Sequence, residues 1–553
     1  MLSKLLQLVA ITAAVSQILA DDMAGTSVGN YKDIGNGVHV PGAIPNNKWE
    51  PLQHRLAYAG PTGMSVSWNT FAQIDEPTVW YGLHPQKLDM YVKSNTSITY
   101  PTSRTWNNHV KVTGLKPDTT YYYRVSGTNG AGAAYLPTYK FKTARPAGDD
   151  KPLTIATFGD LGLMGRDGLS TKTGPIGGDN YTDIGEYDSN TIQSLLQSKD
   201  TYDFMYHVGD IGYADYFLKE SVQGYFGISD NATMPTIDEV ANGYESLSEQ
   251  FFDQMVPITA EKPWMVLAGN HEANCDNGGV KDKQHNKTYT ADYCLPAQQN
   301  FTWYNHHFAM PSAESGGVSN MWYSYEVGPV HFVSLLTETD LGAGNPGPIE
   351  NVKGNMNGPF GKPNQQIDWL KADLASVDRK KTPWLVVGLH RPWYTSIQIP
   401  EIYTAWQKAF EQIFYDYNVD LYLTGHVHTF ESFKPMFNGT IDAAGFNNPR
   451  MPWPIVQGAA GHYDGLDQYD GPERLNGSDY SNDQVYGWGK MTFHNKTHVT
   501  YDYVASRNSS VVFSQTLYKE HNFGAANCTD GQKILPKMQK KPPKVNARAS
   551  IDF

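Results

Sequence analysis

The sequence is poor in cysteine. Only three cysteines occur among its 553 residues, so disulfide bonds cannot build this fold as they do in small secreted domains. There is no Cys-x-x-Cys pair, which argues against a zinc site made of thiolates. Cys275 and Cys294 are the natural pair for one short disulfide loop, and Cys528 would then be free or paired with another chain.

The sequence also lacks an excess of positive charge. Its 43 basic and 56 acidic residues give a formal net charge of −13. Because nucleic-acid affinity depends on Lys and Arg that neutralise phosphates, this balance argues against general nucleic-acid binding. A phosphate-bearing ligand would have to be attracted locally, and bound metal cations are the obvious means.

Long apolar runs are absent beyond the N-terminus. Residues 1–20 carry one lysine, then an apolar run at 5–15, and end in Ile-Leu-Ala before Asp21. This layout predicts a secretory signal peptide at 1–20, because the apolar run is too short to cross a bilayer. The C-terminus has no hydrophobic tail for a lipid anchor, so no membrane association is expected.

Asn-x-Ser/Thr sequons agree with a secreted protein in an extracellular or cell-wall location. Some sequons arise by chance, but ten together fit a heavily glycosylated chain. They lie at Asn95, Asn180, Asn231, Asn286, Asn300, Asn438, Asn476, Asn495, Asn508 and Asn527.

Residues 49–146 show the pattern of an all-β sandwich. A chain of 553 residues is expected to form about two to four domains, and residues 49–146 are the first of them. Short segments of alternating character, such as 64–69, are separated by Pro, Gly, Asn and Asp. The stretch 115–124 resembles the corner before a late strand of fibronectin type III domains, so a fibronectin type III-like sandwich is expected.

The pattern changes after a polar, Pro-rich linker at 144–152. Continuous apolar strands then alternate with stretches of helical periodicity, which predicts an α/β domain over 150–520. The basic, Pro-rich end at 521–553 is expected to be an unstructured tail. The predicted strands are 153–158, 203–208, 263–268, 331–336, 383–389 and 420–425, and the predicted helices are 189–199, 364–377 and 401–418.

Five of these strands end in short polar runs of Asp, Asn, His and Gly. In open α/β folds, ligands bind beyond the carboxyl ends of strands, so the five loops should converge on one place. The motifs are Gly159-Asp160-Leu161-Gly162, Gly209-Asp210-Ile211-Gly212-Tyr213, Gly269-Asn270-His271-Glu272, Val387-Gly388-Leu389-His390 and Gly425-His426-Val427-His428.

The side chains in these motifs suit metal ions. Carboxylate and amide oxygens, imidazole nitrogens and one phenolate are ligands of hard or borderline metals. Each motif alone has an ordinary explanation, since Gly-Asp after a strand is common turn chemistry and a lone histidine often belongs to the core. Together they offer more ligands than one ion needs, and two ions that share a carboxylate would use them all.

In order, the motifs read DxG, GDxxY, GNH(D/E), VxxH and GHxH, and they resemble those of the purple acid phosphatases, a branch of the calcineurin-like metallophosphoesterases. The resemblance spans residues 49–519, because larger members of that family carry a β-sandwich before the catalytic domain. It implies a metallophosphoesterase domain at 150–520, in which a layered β-sandwich is flanked by helices.

The resemblance also implies a set of metal ligands. One site would hold a ferric ion, kept ferric by a tyrosinate whose charge transfer gives the purple colour, and the other a divalent iron, zinc or manganese ion. The implied ligands are Asp160, Tyr213 and His428 for Fe(III), Asp210 as the bridge, and Asn270, His390 and His426 for the second metal.

The implied reaction is hydrolysis of phosphate monoesters at acidic pH, with metal-bound hydroxide attacking phosphorus in line. His271 is the best candidate for orienting substrate or handling the proton of the leaving group, with a contact to Glu272 or to backbone as its structural alternative. Plant relatives carry a histidine pair shortly after VxxH, which is missing at 393–401. Glu401, His271 or solvent could replace it, and Glu431 and His462 are weaker candidates.

Two other functions stay open at this level. Related two-metal sites cleave phosphodiesters, nucleotide pyrophosphates or phytate, so one alternative is an enzyme of different specificity. The other is a non-catalytic cell-wall binding protein that uses the β-sandwich. Oligomeric state, physiological substrate and the second metal are not determined by the sequence.

Overall fold

The computed structural model describes residues 47–126, 136–163, 188–216, 237–273, 275, 281–282, 287–288, 294–338, 362–397, 404–461, 465–469, 471 and 473–522. All structural statements refer to these residues. The predicted signal peptide at 1–20, the tail beyond 522, Glu401, His462, Cys528 and the sequons at Asn180, Asn231, Asn286 and Asn527 lie outside them.

The first part of the chain is a sandwich of two antiparallel sheets, in strand orders β1-β2-β6-β5 and β4-β3-β7-β8. Val66, Trp68 and Tyr123 fill its interior and are fully buried. The strands are β1 (Leu52–Tyr58), β2 (Met64–Thr70), β3 (Thr78–Gly82), β4 (Met90–Lys93), β5 (Thr96–Ile98), β6 (Trp106–Val112), β7 (Thr120–Val125) and β8 (Tyr139–Lys142).

The corner expected from the fibronectin-like stretch is present at the start of β7. The hydroxyl of buried Tyr121 accepts a hydrogen bond from the backbone N–H of Lys116 at 3.0 Å. This bond ties the tyrosine back to the loop that precedes it, as in the tyrosine corner of Greek-key sandwiches. The predicted all-β sandwich is confirmed.

The second part of the chain contains the remaining strands: β9 (Leu153–Phe158), β10 (Phe204–Val208), β11 (Trp264–Leu267), β12 (Lys281–Asp282), β13 (Lys287–Thr288), β14 (Tyr323–Val327), β15 (Val330–Ser334), β16 (Trp384–Gly388), β17 (Leu421–Thr424), β18 (Phe430–Phe433), β19 (Met436–Phe437), β20 (Thr440–Ile441), β21 (Trp453–Gln457), β22 (Ser478–Asn482), β23 (Gly487–Phe493), β24 (His498–Ala505) and β25 (Val511–Tyr518). All six predicted strands are among them.

Its helices are α1 (Thr191–Gln197), α2 (Ile237–Thr259), α3 (Thr302–His307), α4 (Ser312–Ser315), α5 (Gln365–Ser376) and α6 (Gln412–Asp416), the last preceded by a π-helical turn at Gln407–Glu411. Helix α1 begins with a capping box, in which the side chains and backbone N–H groups of Asn190 and Gln193 bond reciprocally at 2.9 Å. The predicted helices are confirmed within the described residues, whereas α2 is the longest described helix and was not predicted.

Two mixed sheets form the layers of this domain, in orders β11-β10-β9-β23-β24-β25 and β14-β15-β16-β17-β21-β18-β22. The two sheets pack face to face through aromatic side chains. The rings of Phe204 and Phe332 meet edge to face with centroids 5.5 Å apart, and those of Phe430 and Tyr503 stack with centroids 4.1 Å apart. Strands β9 to β11 are parallel in one sheet, and β15, β16, β17 and β21 are parallel in the other. The predicted layered fold is confirmed, with carboxyl strand ends contributed by both sheets.

The sandwich is packed tightly against this second domain. Buried apolar residues of both parts form one continuous core, in which Tyr58 of β1 meets Phe204 of β10 with centroids 5.4 Å apart. Polar contacts add to it: the Nε of Arg55 donates to the carbonyl of His307 at 3.0 Å. The two parts therefore behave as one folded body rather than as a catalytic domain with a tethered module.

Other expectations concern surface features. Six sequons lie among the described residues, and all six asparagines are exposed, at Asn95, Asn300, Asn438, Asn476, Asn495 and Asn508. The sulfur atoms of Cys275 and Cys294 are joined in the structure, with Cα atoms 5.0 Å apart. None of the helices described is both long and apolar enough to cross a membrane.

Asp420 ties the end of the described chain to the second sheet. Its buried carboxylate accepts the backbone N–H of Leu385 at 2.8 Å and contacts Arg379 at 2.8 Å and Lys519 at 2.9 Å. Burial disfavours its charge, but Arg379, Lys519 and His521 outweigh burial and hold the pKa of Asp420 well below its usual range. The charge is therefore present in the folded protein at any ordinary pH.

We expect Asp420→Asn to destabilise the protein, because it leaves buried Lys519 without its counter-charge. Breaking a buried ion pair costs about 3–5 kcal/mol, measured as the free energy of unfolding in urea at about pH 6. The depressed pKa means that the loss should shrink as the pH falls below about 4, where the carboxyl of the unfolded chain is protonated.

Glu76→Gln is the matched control for this experiment, since Glu76 pairs with Lys93 at 2.6 Å on the exposed surface of the sandwich. Its cost should be much smaller than that of Asp420→Asn, because solvent screens an exposed ion pair. Equal costs for the two substitutions would contradict a structural role for Asp420.

Candidate metal centre

The first two motifs lie side by side because their loops are hydrogen-bonded to each other. The N–H groups of Asp160, Leu161 and Gly162 donate to the carbonyls of residues 209, 210 and 211 at 3.1 to 3.2 Å. Strands β9 and β10 are parallel neighbours, so both chains leave the sheet at the same edge. This pairing brings the carboxylates of Asp160 and Asp210 together.

Backbone conformation at the site is unusual. Asp160, Asp210, Tyr213 and His426 all have positive φ, at 59°, 50°, 48° and 68°, a region that residues other than glycine seldom adopt. Gly269 is required for another reason, because a Cβ at that position would collide with the carboxylate of Asp210. Such strain at a cluster of polar residues is typical of functional sites.

Tyr213 lies at the centre of the first group of side chains. Its hydroxyl is 3.0 Å from Oδ1 of Asp160, 3.2 Å from Oδ2 of Asp210 and 3.1 Å from Nε2 of His428. His428 in turn is 3.3 Å from Asp160. All four side chains predicted for the ferric ion and the bridge therefore meet around one phenol oxygen.

The second group contacts the same carboxylate oxygen of Asp210, Oδ2, as the hydroxyl of Tyr213 does. Nε2 of His390 is 3.0 Å from Oδ2 of Asp210 and 3.2 Å from Oδ1 of Asn270. Potential ligand atoms of Asp210, His390 and His426 lie within 4.8 Å of one another. Asp210 is therefore shared by both groups, which is the arrangement expected of a bridging carboxylate.

Burial and the neighbouring histidines shift the pKa values of both carboxylates in this cluster. Burial raises the pKa of Asp160 despite opposing contributions from His428 and His390. Burial also disfavours the charge of Asp210, but His390 and His271 hold its pKa well below the usual range. Two buried carboxylates, a phenol, an amide oxygen and three imidazoles in contact form a donor set that fits a pair of metal cations.

His426 differs electrostatically from the other histidines. Burial lowers the pKa of His390, but the Asp210 carboxylate and further acids raise it to about 9. For His426, burial and the charge of Arg391 hold the pKa well below its usual value. His426 therefore stays neutral, which is the form that binds metals. Its backbone N–H donates to both carboxylate oxygens of Asp160, at 3.1 and 2.9 Å.

Glu272 holds the loops in place. Its carboxylate accepts backbone N–H groups from Gly269 at 2.7 Å, Asp210 at 3.0 Å and Ile211 at 2.8 Å. It thereby connects the end of β11 to the end of β10. From the sequence, Glu272 is expected only as a contact for His271, and its charge does help to raise the pKa of that histidine.

His271 pairs with Asp215, a residue that the sequence analysis did not single out. Nδ1 of His271 is 2.6 Å from Oδ2 of Asp215, and its ring lies against that of Tyr213 with centroids 4.5 Å apart. Burial alone would lower the pKa of His271, but Asp215 and Asp210 raise it to about 10. The only signal in the sequence was an acidic residue two positions after the tyrosine of GDxxY.

Arg391 was also missed. Its buried guanidinium is held by the carboxylate of Glu338, with Nε and NH2 contacts of 2.8 Å, and its NH1 donates to Nε2 of His426 at 2.8 Å. The residue follows the VxxH motif directly, but Glu338 lies 53 positions earlier in the chain. Only the fold reveals that pair.

Glu431 is enclosed by hydrogen-bond donors. Fully buried, it is bound by the backbone N–H of Ser396 at 2.8 Å and the hydroxyls of Ser396 and Ser478. Burial raises its pKa. A proton donor to a leaving group must reach the substrate, so this environment disfavours Glu431 for that role.

Comparisons with known proteins agree with the geometry. The purple acid phosphatase N-terminal domain matches residues 51–143, calcineurin-like phosphoesterase matches 153–430, and the iron/zinc purple acid phosphatase-like protein C domain matches 451–514. Acid phosphatase A of Cryphonectria parasitica is 34% identical over 504 residues, covering 86% of this chain and 94% of the relative. An acid phosphatase of Aspergillus ficuum is 29% identical over 599 residues, covering 91% and 92%.

A solved structure shows the same fold. A purple acid phosphatase from yellow lupin seeds superposes with a TM-score of 0.62 at 20% sequence identity, covering 89% of this chain and 78% of the lupin chain. The family matches cover the sandwich, the phosphoesterase domain and the C-terminal segment in order. The family predicted from the five motifs is therefore confirmed, and the chain belongs to the purple acid phosphatases of the calcineurin-like phosphoesterases.

Proposed function

We propose that the protein is a secreted acid phosphatase that hydrolyses phosphate monoesters at a binuclear metal site. The observation that carries this proposal is the position of Asp210, whose carboxylate is shared by two groups of ligand-type side chains. Relatives named acid phosphatase and purple acid phosphatase match most of the chain, which supports the same reaction.

The family implies two metals, and we assign ligands from the contacts. Fe(III) would be held by Asp160, Tyr213 and His428, and a divalent iron, zinc or manganese ion by Asn270, His390 and His426, with Asp210 common to both. When bound, such ions draw phosphate oxygens to the site, polarise the phosphorus centre and lower the pKa of water. The local positive charge would offset the acidic balance of the chain.

His271 is the residue that we assign to the leaving group or to the phosphate. Asp215 holds its Nδ1, and Nε2 is the nitrogen on the opposite side of the ring. The side chain of His271 is 10% exposed, whereas that of Asp215 is fully buried. This difference is expected if the imidazole is the part of the pair that is open to the site mouth. His271 can then donate a hydrogen bond to a phosphoryl oxygen or a proton to the departing alkoxide.

The location of the protein follows from a different set of features. The predicted signal peptide and the exposed sequon asparagines support secretion to the cell exterior or the cell wall. Exposure of all six described sequons is needed for glycosylation, because the glycan must project into solvent.

The reaction is tested by comparing turnover of a phosphate monoester, a bis-ester and inositol hexakisphosphate at about pH 5. We expect the monoester to be preferred, with Asp210→Asn losing both metal and activity. Preference for the bis-ester would replace this proposal with the phosphodiesterase alternative, and preference for inositol hexakisphosphate with the phytase alternative. A protein that binds no metal and hydrolyses none of the three would indicate the non-catalytic cell-wall protein.

Tyr213→Phe should abolish the visible absorption of the purified protein, because the phenolate that donates charge to Fe(III) is removed. Iron content, measured on the same sample, should fall by less than in Asp210→Asn, since Asp160, Asp210 and His428 are kept. Tyr206→Phe is a suitable control, because Tyr206 is a buried tyrosine that bonds Val333 and Ser334 instead. A visible band that survives Tyr213→Phe would assign the ligand to another tyrosine.

Asp215→Asn should lower kcat by about 10–100-fold while metal content is unchanged, because the substitution weakens the hold on His271 without removing a predicted ligand. The measurement is kcat and KM together with metal analysis. Asp200→Asn, on an exposed turn, should leave kcat as in the wild type. Loss of metal in Asp215→Asn would mean that Asp215 supports the metal cluster rather than His271.

A further inference from the structure

Helix α2 carries three acidic residues on the face that it turns to the β-sandwich. Glu245, Glu249 and Asp253 are spaced four residues apart, so they lie on one side of the helix, and like charges at this spacing repel. Glu245 is 2% exposed and Glu249 is 1% exposed. The apolar residues Phe251 and Met255 of the same helix are buried as well, so α2 is enclosed on both sides.

A loop of the sandwich supplies the partners of these acids. Nε of Arg104 donates to Oε1 of Glu249 at 3.1 Å, and its NH2 makes a second bond to the same carboxylate. The hydroxyl of Tyr100 donates to Oε2 of Glu245 at 2.9 Å. Within the described residues, Oε1 of Glu245 and Oδ2 of Asp253 are buried without a hydrogen-bond partner.

Among the described residues, the two histidines near the cluster are a poor source of positive charge. Burial lowers the pKa of both His306 and His307, which disfavours a positive charge on either ring. Both rings meet Tyr100 edge to face, with centroids 5.1 and 6.0 Å away. In the part of the chain that the structure describes, the titratable groups that face the three acids or their immediate partners are Tyr100, Arg104, Asp215, Tyr244, Glu272, His306 and His307.

Charge balance decides the protonation of the acids. One guanidinium can compensate one carboxylate, and an uncompensated buried charge is costly. Burial raises the pKa of Glu245 to about 8, against the opposing effects of Tyr100 and Arg104. Burial and the charge of Asp253 raise the pKa of Glu249 well above the usual range. Burial also raises the pKa of Asp253 well above the usual range. Burial lowers the pKa of Arg104 only to about 10, so the guanidinium stays charged.

We propose that the junction between the β-sandwich and helix α2 is closed by carboxyl groups that carry protons, and that it loosens as the surroundings turn from acidic to alkaline. The short turn Ala214–Tyr216 packs on the same helix and holds Asp215, the partner of His271. The junction therefore backs one wall of the site, and its closure at low pH coincides with the conditions in which an acid phosphatase works.

The direction of the pH effect follows from linkage. These acids have a higher pKa in the folded than in the unfolded chain, where that of Glu is about 4.3. Their contribution to stability is complete below that value and declines as the pH rises, with the decline for Glu245 ending near pH 8. Above this pH, Glu245 is charged in both the folded and the unfolded chain, and the folded chain has to bury that charge.

The test compares urea unfolding of the metal-loaded wild type with that of Glu245→Gln and Asp253→Asn at about pH 5 and about pH 8. The amides mimic the protonated acids. From the lower to the higher pH, the unfolding equilibrium constant of the wild type should rise. The factor of this rise should be at least about tenfold larger than the factor measured for either variant. At the higher pH the variants should match or exceed the wild type in stability. A cost that is the same at both pH values would overturn the proposal.

Two controls keep the result interpretable. Asp89→Asn, which removes an exposed pair with Lys87 at 3.3 Å, should keep the wild-type pH dependence. Metal content is measured in every sample, so that metal loss is not mistaken for opening of the junction.

A measurement on the wild type alone covers the case in which the variants fail to fold. Hydrogen exchange of α2, corrected for the intrinsic rate, should lose protection between the two pH values, whereas α5 should not. Equal changes in the two helices would overturn the proposal.

Discussion

The buried carboxylate of Asp210 is the constraint on which the site depends. It contacts the hydroxyl of Tyr213, the imidazole of His390 and the backbone N–H of His271, which belong to three different motifs and to loops from both sheets. A charge at this depth is tolerated only if it is surrounded by donors and cations. The loops are therefore arranged around the carboxylate as much as around the ions that it is proposed to hold.

The fold provides this arrangement by packing two sheets through aromatic rings. Phe204 and Phe332 set the spacing between the layers, and the carboxyl ends of β9 to β11 on one side and β16 and β17 on the other then open onto a common edge. Helix α2 covers the first sheet and needs a cover of its own, because its outer face carries Glu245 and Glu249. The sandwich supplies Arg104 and Tyr100 to that face, which explains why the two parts share one core.

Most of the site could be predicted from sequence, and the limits of that prediction are physical. The five motifs are local, each following an apolar strand, so their order and type were sufficient to bring Asp160, Tyr213 and His390 into one prediction. Glu338 and Arg391 are 53 residues apart, and no local pattern links them. Helix α2 was missed because acids interrupt its apolar periodicity and Pro257 lies within it. The hairpins of β23, β24 and β25 were not predicted either, because buried and partly exposed side chains alternate in β23 and β24, unlike the continuous apolar runs of the parallel strands.

The strained backbone gives a reason for the dense bonding around the site. Each residue held at positive φ costs roughly 1–3 kcal/mol unless its surroundings enforce the conformation. The structure supplies that enforcement: Glu272 binds three N–H groups of the second and third loops, and Asp160 binds the N–H of His426 with both oxygens. The bonds to Glu272 use no proposed ligand atom, whereas the Asp160 oxygens that accept the N–H of His426 are themselves proposed ligand atoms. The protein part of the centre is therefore preorganised, so binding of metals would not need to fold the loops and could be spent on holding and polarising phosphate.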